Sequence, residues 1–558
     1  VSNRLRPLNL TNFTGGINLR ADAFQLAENE SPDMLNVDVD PRGGFQSRRG
    51  WQHWNDVRIV DEPWDPRNGF LHVLSTGEEL PYVANNGHLL RGIDREFAVV
   101  ENLEEVAVPV TAEPHLADFV AWGDLLYVSA GVTSTPFRVL GAGLGEAMAV
   151  AETGTWQNDY TTPSETPSFP RSDLCASHSG YVFVASTRED SVDHPNRIRW
   201  SHPNDPTNWH ENDFIDILEG GARITALQSF QDHLLIFKAQ SVWALYGYDR
   251  DSWQLVEITR ASGAASQQLV ARSDTVLYYM SWPIGVFAYN GSGVPAPVSD
   301  QLKPEFQRVA SIGIGATPND AWLGWVNQKL WVTFPQVGVF VMDPSLNGGA
   351  WTKHAAADGG LLGPYLSSGV GGGEHFALAC HQDLPTVVEI DKITRGYDEL
   401  EADDLLSTPG GTQIITPDER RLQAADGDAP RLFESFYVTR WIDAGFPTSK
   451  KSWRRPDFIV KEFGDDYSLS VSVFRDFEEA SPKRVSTVVV DAGGTGPKWG
   501  EFDWGDGTQW GEAPQGARIE RGSGIGLART VQLKIAGTPG KPWGVDAIVM
   551  KFVPRRFR

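Results

Sequence analysis

The sequence predicts a mainly β protein: a β-propeller of six or seven blades, with an extended N-terminal arm and a C-terminal β-sandwich-like domain. Three observations predict it. One pattern of short apolar-aromatic runs recurs through the middle of the chain. Trp (20) greatly outnumbers Met (5), and 56 Gly with 35 Pro supply frequent turns, a bias of aromatic-rich β structure rather than helical bundles. The two ends of the chain depart from the repeat, each in its own way. At 558 residues the chain is also too long for one ordinary core.

Residues 1–55 form the arm. Between Asn12 and Trp51 the chain has two Gly-Gly breaks, at Gly15-Gly16 and Gly43-Gly44, and no sustained helical or strand period. Apolar side chains nevertheless dot the segment, among them Phe13, Ile17, Phe24, Leu26, Met34, Val37 and Phe45, and chains that stay disordered are poor in such residues. Ordering the backbone costs on the order of 1–2 kcal/mol per residue. Isolated side chains return about 1.5–3 kcal/mol each only when buried. Such a segment must therefore order against another surface: the C-terminal domain or an adjacent subunit. Deleting residues 1–51 is then expected to leave folded propellers that no longer assemble.

Residues 56–391 form the propeller. A polar or glycine turn leads into EELPYV from Glu78, DLLYV from Asp124, GYVFV from Gly180, DHLLIF from Asp232, DTVLYY from Asp274, QKLWV from Gln328 and EHFAL from Glu374, spaced 42 to 56 residues apart. Each run is strand-length and follows turn chemistry, and such a period is the mark of propeller blades. Further strand candidates at 197–200, 242–245, 286–289 and 337–342 supply the rest of each blade. In the third unit, RIRWSHPNDPTNWH (197–210) reads as a strand ending at Trp200 and a stiff, Trp-anchored extended loop, because Pro203 and Pro206 fix φ and remove donors.

Residues 392–431 are acidic and polar with Gly, Pro and Thr interruptions, an acidic linker. Residues 432–558 return to β patterning, with a basic neighbourhood at Lys450, Lys451, Arg454 and Arg455. YSLSVSVF, from Tyr467 to Phe474, alternates with period two, as a strand with one buried face does.

The sequence yields no catalytic, cofactor-binding or metal-ligating residues and implies no cofactor; the protein is expected not to be an enzyme. GTPGK at Gly537 lacks the spacing and hydroxyl of a phosphate loop, and GSGIG at Gly522 misses a dinucleotide fingerprint. His194, His202 and His210 recur at eight-residue intervals near Asp193 and Asp205, but proline-rich geometry does not place them on one face for zinc. Asp38 and Asp40 open a calcium-like loop whose twelfth position would be Arg49 instead of a bidentate Glu. FDWGDGTQWG (502–511) does not fit the spacing of the Asp-box turn of sialidase-like propellers and reads as an Asp-Gly hairpin. Adjacent acids such as Asp403-Asp404 and Asp465-Asp466 say nothing about a glycosidase pair. The sequons at Asn9, Asn12 and Asn290 would matter only in a secreted eukaryotic chain.

The net charge of −24 argues against a surface that grips nucleic acid, since that affinity comes from Lys and Arg on phosphates; an acidic wall beside a DNA conduit stays compatible. Cys175 and Cys380 define no framework and suit folding in a reducing cytosol. No apolar run reaches a membrane span, and the start VSNRLRPLNL lacks the apolar core of a secretory signal.

Several stretches carry a family likeness. GGINLR, ESPDMLNV and GGFQSRRGW in the arm, RWSHPNDPTNW in the third unit, and RWIDAGFPTSKKSWRRPDF with GKPWGVDAIVMKFVPRRFR at the end resemble bacteriophage tail nozzle or tail tubular structural proteins of the short-tailed, propeller-bearing type. The resemblance implies a virion structural protein, assembled in the host bacterial cytoplasm. It implies a ring of copies, with six as the implied number, around the DNA-ejection channel at the distal end of the tail. Its implied partners are itself, the neck adaptor or portal proteins, and tail fibre or needle proteins, with double-stranded DNA passing through without sequence-specific binding. The alternatives are a minor tail or hub/baseplate protein of a long-tailed phage and a glycan-binding or glycan-cleaving propeller protein.

Overall fold

Local turn chemistry sets the blades. In the third unit Ser179 (φ 48°) and Gly180 (φ 79°) both turn left-handed, and in the sixth Asn327 (φ 49°) and Gln328 (φ 58°) do the same. Two such residues in a row make the tight hairpin turn whose twist matches that of the flanking strands. His178 therefore pairs with Tyr181, and Val326 with Lys329, across two-residue connections. Chains of such hairpins build four-stranded antiparallel sheets.

The computed structural model describes residues 4–555 except for 103–116, 157–166, 313–320, 367–377, 399–430, 491–517 and several stretches of one to four residues. Seven blades follow one another, at 66–102, 118–147, 171–216, 224–259, 270–297, 322–354 and 362–393. Their innermost strands form a closed ring: Pro66–Val73 meets Asp118–Trp122, and so on around to Leu362–Leu366, which returns to Pro66–Val73. The expected six or seven blades thus number seven.

Six of the recurrent runs fall on second strands, from Glu79–Asn85 in blade one to Lys329–Phe334 in blade six; of the seventh, EHFAL, residues 374–377 lie outside the described residues, and Leu378 begins the second strand of blade seven, Leu378–His381. The four further candidates fall on third strands. One expectation is corrected in blade three. The chain does not leave the sheet at Trp200; Val192–His202 continues into a tight turn and returns as Asp205–Asp216. Pro203 precedes left-handed Asn204 (φ 59°), the pairing that type II turns use. Pro206 lies on the outermost strand, where a missing donor is tolerated. Trp209 is buried, and its Nε1 donates to the Ser168 and Pro206 carbonyls (3.1 and 3.0 Å).

The C-terminal unit is a two-sheet sandwich. In one sheet Gly544–Pro554 is central, with Asp457–Val460 and Lys451–Trp453 along one edge. The other sheet runs from Phe436–Val438 through Val531–Gly537 and Tyr467–Arg475 to Arg484–Val490. Tyr467, Leu469, Val471 and Val473 are buried while Ser470 is exposed, the alternation that the sequence pattern requires.

The arm is where the structure departs most from a division at residue 55. Gly50–His53 is the outermost strand of blade seven, pairing with Val387–Ile393, so the start of the chain closes the propeller ring. Gly16–Ile17 and Glu30–Ser31 extend blade six beyond Ala350–His354. Met34–Leu35 joins one sandwich sheet, while Arg6–Leu10 and Phe45–Ser47 pair with the open edge of Gly544–Pro554 in the other. Of the acidic linker, residues 399–430 lie outside the described residues; Tyr397–Asp398 and Arg431–Leu432 at its ends pair with each other.

Candidate functional site

Two places concentrate buried polar chemistry: the junction of arm, propeller and sandwich, and the propeller channel. At the junction a single hydrophobic core runs through Phe13, Met34 and Phe45 of the arm, Met280 and Trp351 of the propeller, and Ile548 of the sandwich. Phe45 stacks on Tyr437 (ring centroids 4.3 Å apart), and Phe13 meets both rings edge-on at 4.9 and 5.4 Å.

The Gly-Gly breaks have steric causes. Gly16 has φ 65°, and a Cβ there would lie 2.4 Å from the Trp351 carbonyl oxygen; at Gly43 (φ 113°) it would lie 2.5 Å from that of Thr11. Only glycine combines such backbone angles with such close approach.

Asn36 and Arg48 join all three parts. Asn36 donates through its backbone N–H to Lys353 O of blade six and through Nδ2 to Glu434 O of the sandwich, both at 2.8 Å. Its Oδ1 accepts from Arg48 Nε (2.9 Å) and from the Ala355 N–H (2.8 Å). The Arg48 guanidinium donates to the Ala355 carbonyl and lies 3.9 Å from the ring centroids of both Trp51 and Phe433. A planar cation between two aromatic faces, with its donors used, suits a buried arginine.

Acids flank this pair. Asp38 approaches Lys329 (3.3 Å) and His354 (3.6 Å). Burial would raise the Asp38 carboxyl, but Lys329 and His354 outweigh it and hold it below its ordinary value. Burial pushes His354 down to about 3, which leaves Lys329, with the more distant Arg48 guanidinium, as the counter-charges at neutral pH. Asp40 is held low by hydrogen bonds from Arg42 and Lys461, the latter at 2.6 Å. The supposed calcium-loop acids are thus ion-paired members of a β-hairpin, Val37–Val39 with Phe45–Ser47.

The channel along the propeller axis is a cavity of about 120 Å³, lined by inner-strand residues that include Asn68, Asp118, Gln228, Trp322 and Tyr365, and by Gln268 of the short turn that precedes Val270–Arg272. Neighbouring blades are tied around it. Asp118 accepts from the Phe119 and Cys175 N–H groups (3.0 and 2.9 Å), Gln267 exchanges two hydrogen bonds with the Leu227 backbone, and Gln268 Nε2 donates to Ala321 O (2.9 Å). Burial raises the Asp118 carboxyl to about 7, against the pull of both donors, and burial likewise raises the Cys175 thiol. The channel residues were not singled out in the sequence, because inner strands carry no turn or aromatic signature that separates them from their neighbours.

His194 and His202 stand at opposite parts of one strand, roughly 25 Å apart at about 3.3 Å per residue, and His210 lies on the next strand. The structure does not bring the three together. Among the described residues no group of three or more His, Cys, Asp or Glu is placed to hold a metal ion, and no helix is long and apolar enough to cross a membrane. FDWGDGTQWG lies outside the described residues. Buried Arg199, from the RWSxPxDPxxW stretch, meets Glu189 with both acid oxygens (3.1 and 2.8 Å) and donates to His210 O and Glu211 O. That stretch therefore works inside blade three.

The strand order and ring closure define the class: a seven-bladed β-propeller joined to a β-sandwich. No protein-family model matches the chain, and no curated protein does. Solved structures similar to it include YCF48 from Cyanidioschyzon merolae, at 10% identity over 61% of this chain and 98% of that one, with a TM-score of 0.37. A catalytically inactive virginiamycin B lyase from Staphylococcus aureus is similar over 50% of this chain and 94% of its own, at 8% identity and a TM-score of 0.27.

Proposed function

We propose that the chain is a structural protein of a phage tail, one copy of a ring that surrounds the DNA-ejection channel and joins the neck to fibre or needle proteins. The observation that carries the reading is the junction: the arm segments whose sequence resembles tail nozzle proteins are the ones that bind propeller and sandwich into one body through a common core. A subunit that must transmit force without changing shape needs such a joint. DNA would pass between copies and not along a propeller axis, because the axial cavity is only about 120 Å³ and Trp322 and Tyr365 project onto it. The net charge of −24 suits a wall past which DNA slides, since like charges do not hold it. Imaging of intact particles by electron microscopy tests the reading. A symmetric ring of this chain beneath a short neck is expected; its absence from purified particles, or a place in the hub of a long tail, would overturn it.

A further inference from the structure

The sandwich sheet built from Met34–Leu35, Phe436–Val438, Val531–Gly537, Tyr467–Arg475 and Arg484–Val490 contains no Asp or Glu in any strand, in a chain with 72 acids. Its charges are all positive: Lys534, Arg475 and Arg484. The companion sheet has no such bias, since it includes Asp457, Glu520 and Asp546. The inner face of the acid-free sheet fills the sandwich core. On its outer face Ser468, Ser470 and Ser472 form a row, paired with Val489, Thr487 and Val485 of the neighbouring strand. Both valines are 57% exposed. On the other side of the row Lys534 pairs with Ser472, and its Nζ stands 3.6 Å over the Phe436 ring.

Single exposed valines are ordinary; two of them beside a row of hydroxyls and a cation, on the sandwich sheet whose strands hold no carboxylate, make a pattern. Serine and threonine hydroxyls and the lysine ammonium donate hydrogen bonds, and donors bind carboxylates most strongly. Two chains of net charge −24 repel wherever acids face acids. We propose that this outer face is a contact between copies, seated against an acidic surface of a second copy of this chain. The inference rests on the ring reading above and assigns one side of its repeating contact. Because the face is not self-complementary in charge, the contact is heterologous, the kind that closes into rings.

Sedimentation of the full chain over a range of concentration and salt tests it. The unaltered chain is expected to associate, and less so as salt rises. Val485→Asp with Val489→Asp, both at exposed positions, are expected to weaken association at least tenfold with circular dichroism and melting unchanged. In a Val489→Cys variant the native Cys175 and Cys380 are buried, so the new thiol is the reactive one, and its labelling is expected to slow on association. A charge variant that associates like the unaltered chain, with the new thiol still labelled freely, would overturn this face while leaving a ring intact. A chain that stays single at every concentration would overturn both the face and the ring.

Discussion

Blade four and the arm are both fully built into the structure, yet they are built by opposite means. Blade four runs through 224–259, and each of its strands pairs with the next one along the chain. In the arm the hairpin of Val37–Val39 with Phe45–Ser47 and the short pair of Gly16–Ile17 with Glu30–Ser31 are local, and its other partners are distant. Asn36 reaches Glu434, 398 residues away, and the Ser47 Oγ accepts from the Trp543 N–H, 496 residues away. Contacts close in sequence leave a local pattern, whereas distant ones cost loop closure and leave none. The arm therefore looks aperiodic while being as buried as a blade.

The largest expected effect separates the two regions. Removing residues 1–51 deletes half of the outer strand of blade seven, with its buried Trp51, and the arm's share of the common core. Folded propellers that merely fail to assemble are no longer the expected product; loss of soluble, cooperatively melting protein is, as judged by yield and calorimetry. Next in size is Arg48→Ala, which leaves a gap between Trp51 and Phe433 and strips a partner from Asn36. It should cost about 2–4 kcal/mol, read as a fall in the melting temperature of propeller and sandwich together.

The channel supplies a pH test within the propeller alone. Asp118 has a raised carboxyl, from an ordinary 3.8 to about 7. Its protonated form therefore favours the fold fully below pH 4, and that contribution is lost as pH rises through 7. Asp118→Asn cannot ionise. Relative to the variant, the unaltered chain should lose up to about 4 kcal/mol between pH 4 and 8, seen in paired thermal melts; parallel melting curves at every pH would contradict this. The smallest effect concerns one turn. Gln328→Gly relieves a left-handed side-chain residue and creates the Asn-Gly pair that such hairpins prefer, so a gain of up to about 1 kcal/mol is expected.

The same contrast explains what could be read in advance. The runs from Glu78 to Gln328 marked the second strands of six blades, because turn residues followed by aromatic and β-branched residues are a local signal. The period-two stretch at Tyr467 showed its buried face for the same reason. Pro203 and Pro206 misled, since proline breaks a central strand but is accepted in a turn or on an outer one. The junction was legible only as a need: apolar side chains without a period require a surface, yet nothing in residues 36 or 48 names Glu434, Ala355 or Phe433. The channel was silent, because Asp118 and Trp322 gain their setting only when seven inner strands converge.

Amide hydrogen exchange at high dilution, where copies are separate, tests most directly whether the arm belongs to its own chain. The N–H groups of Phe13, Asn18, Asn36 and Arg48 donate to carbonyls of the same molecule, so they should exchange as slowly as those of the blade-four strands. Arm amides that exchange freely in the dilute chain and become protected only as copies associate would contradict the account.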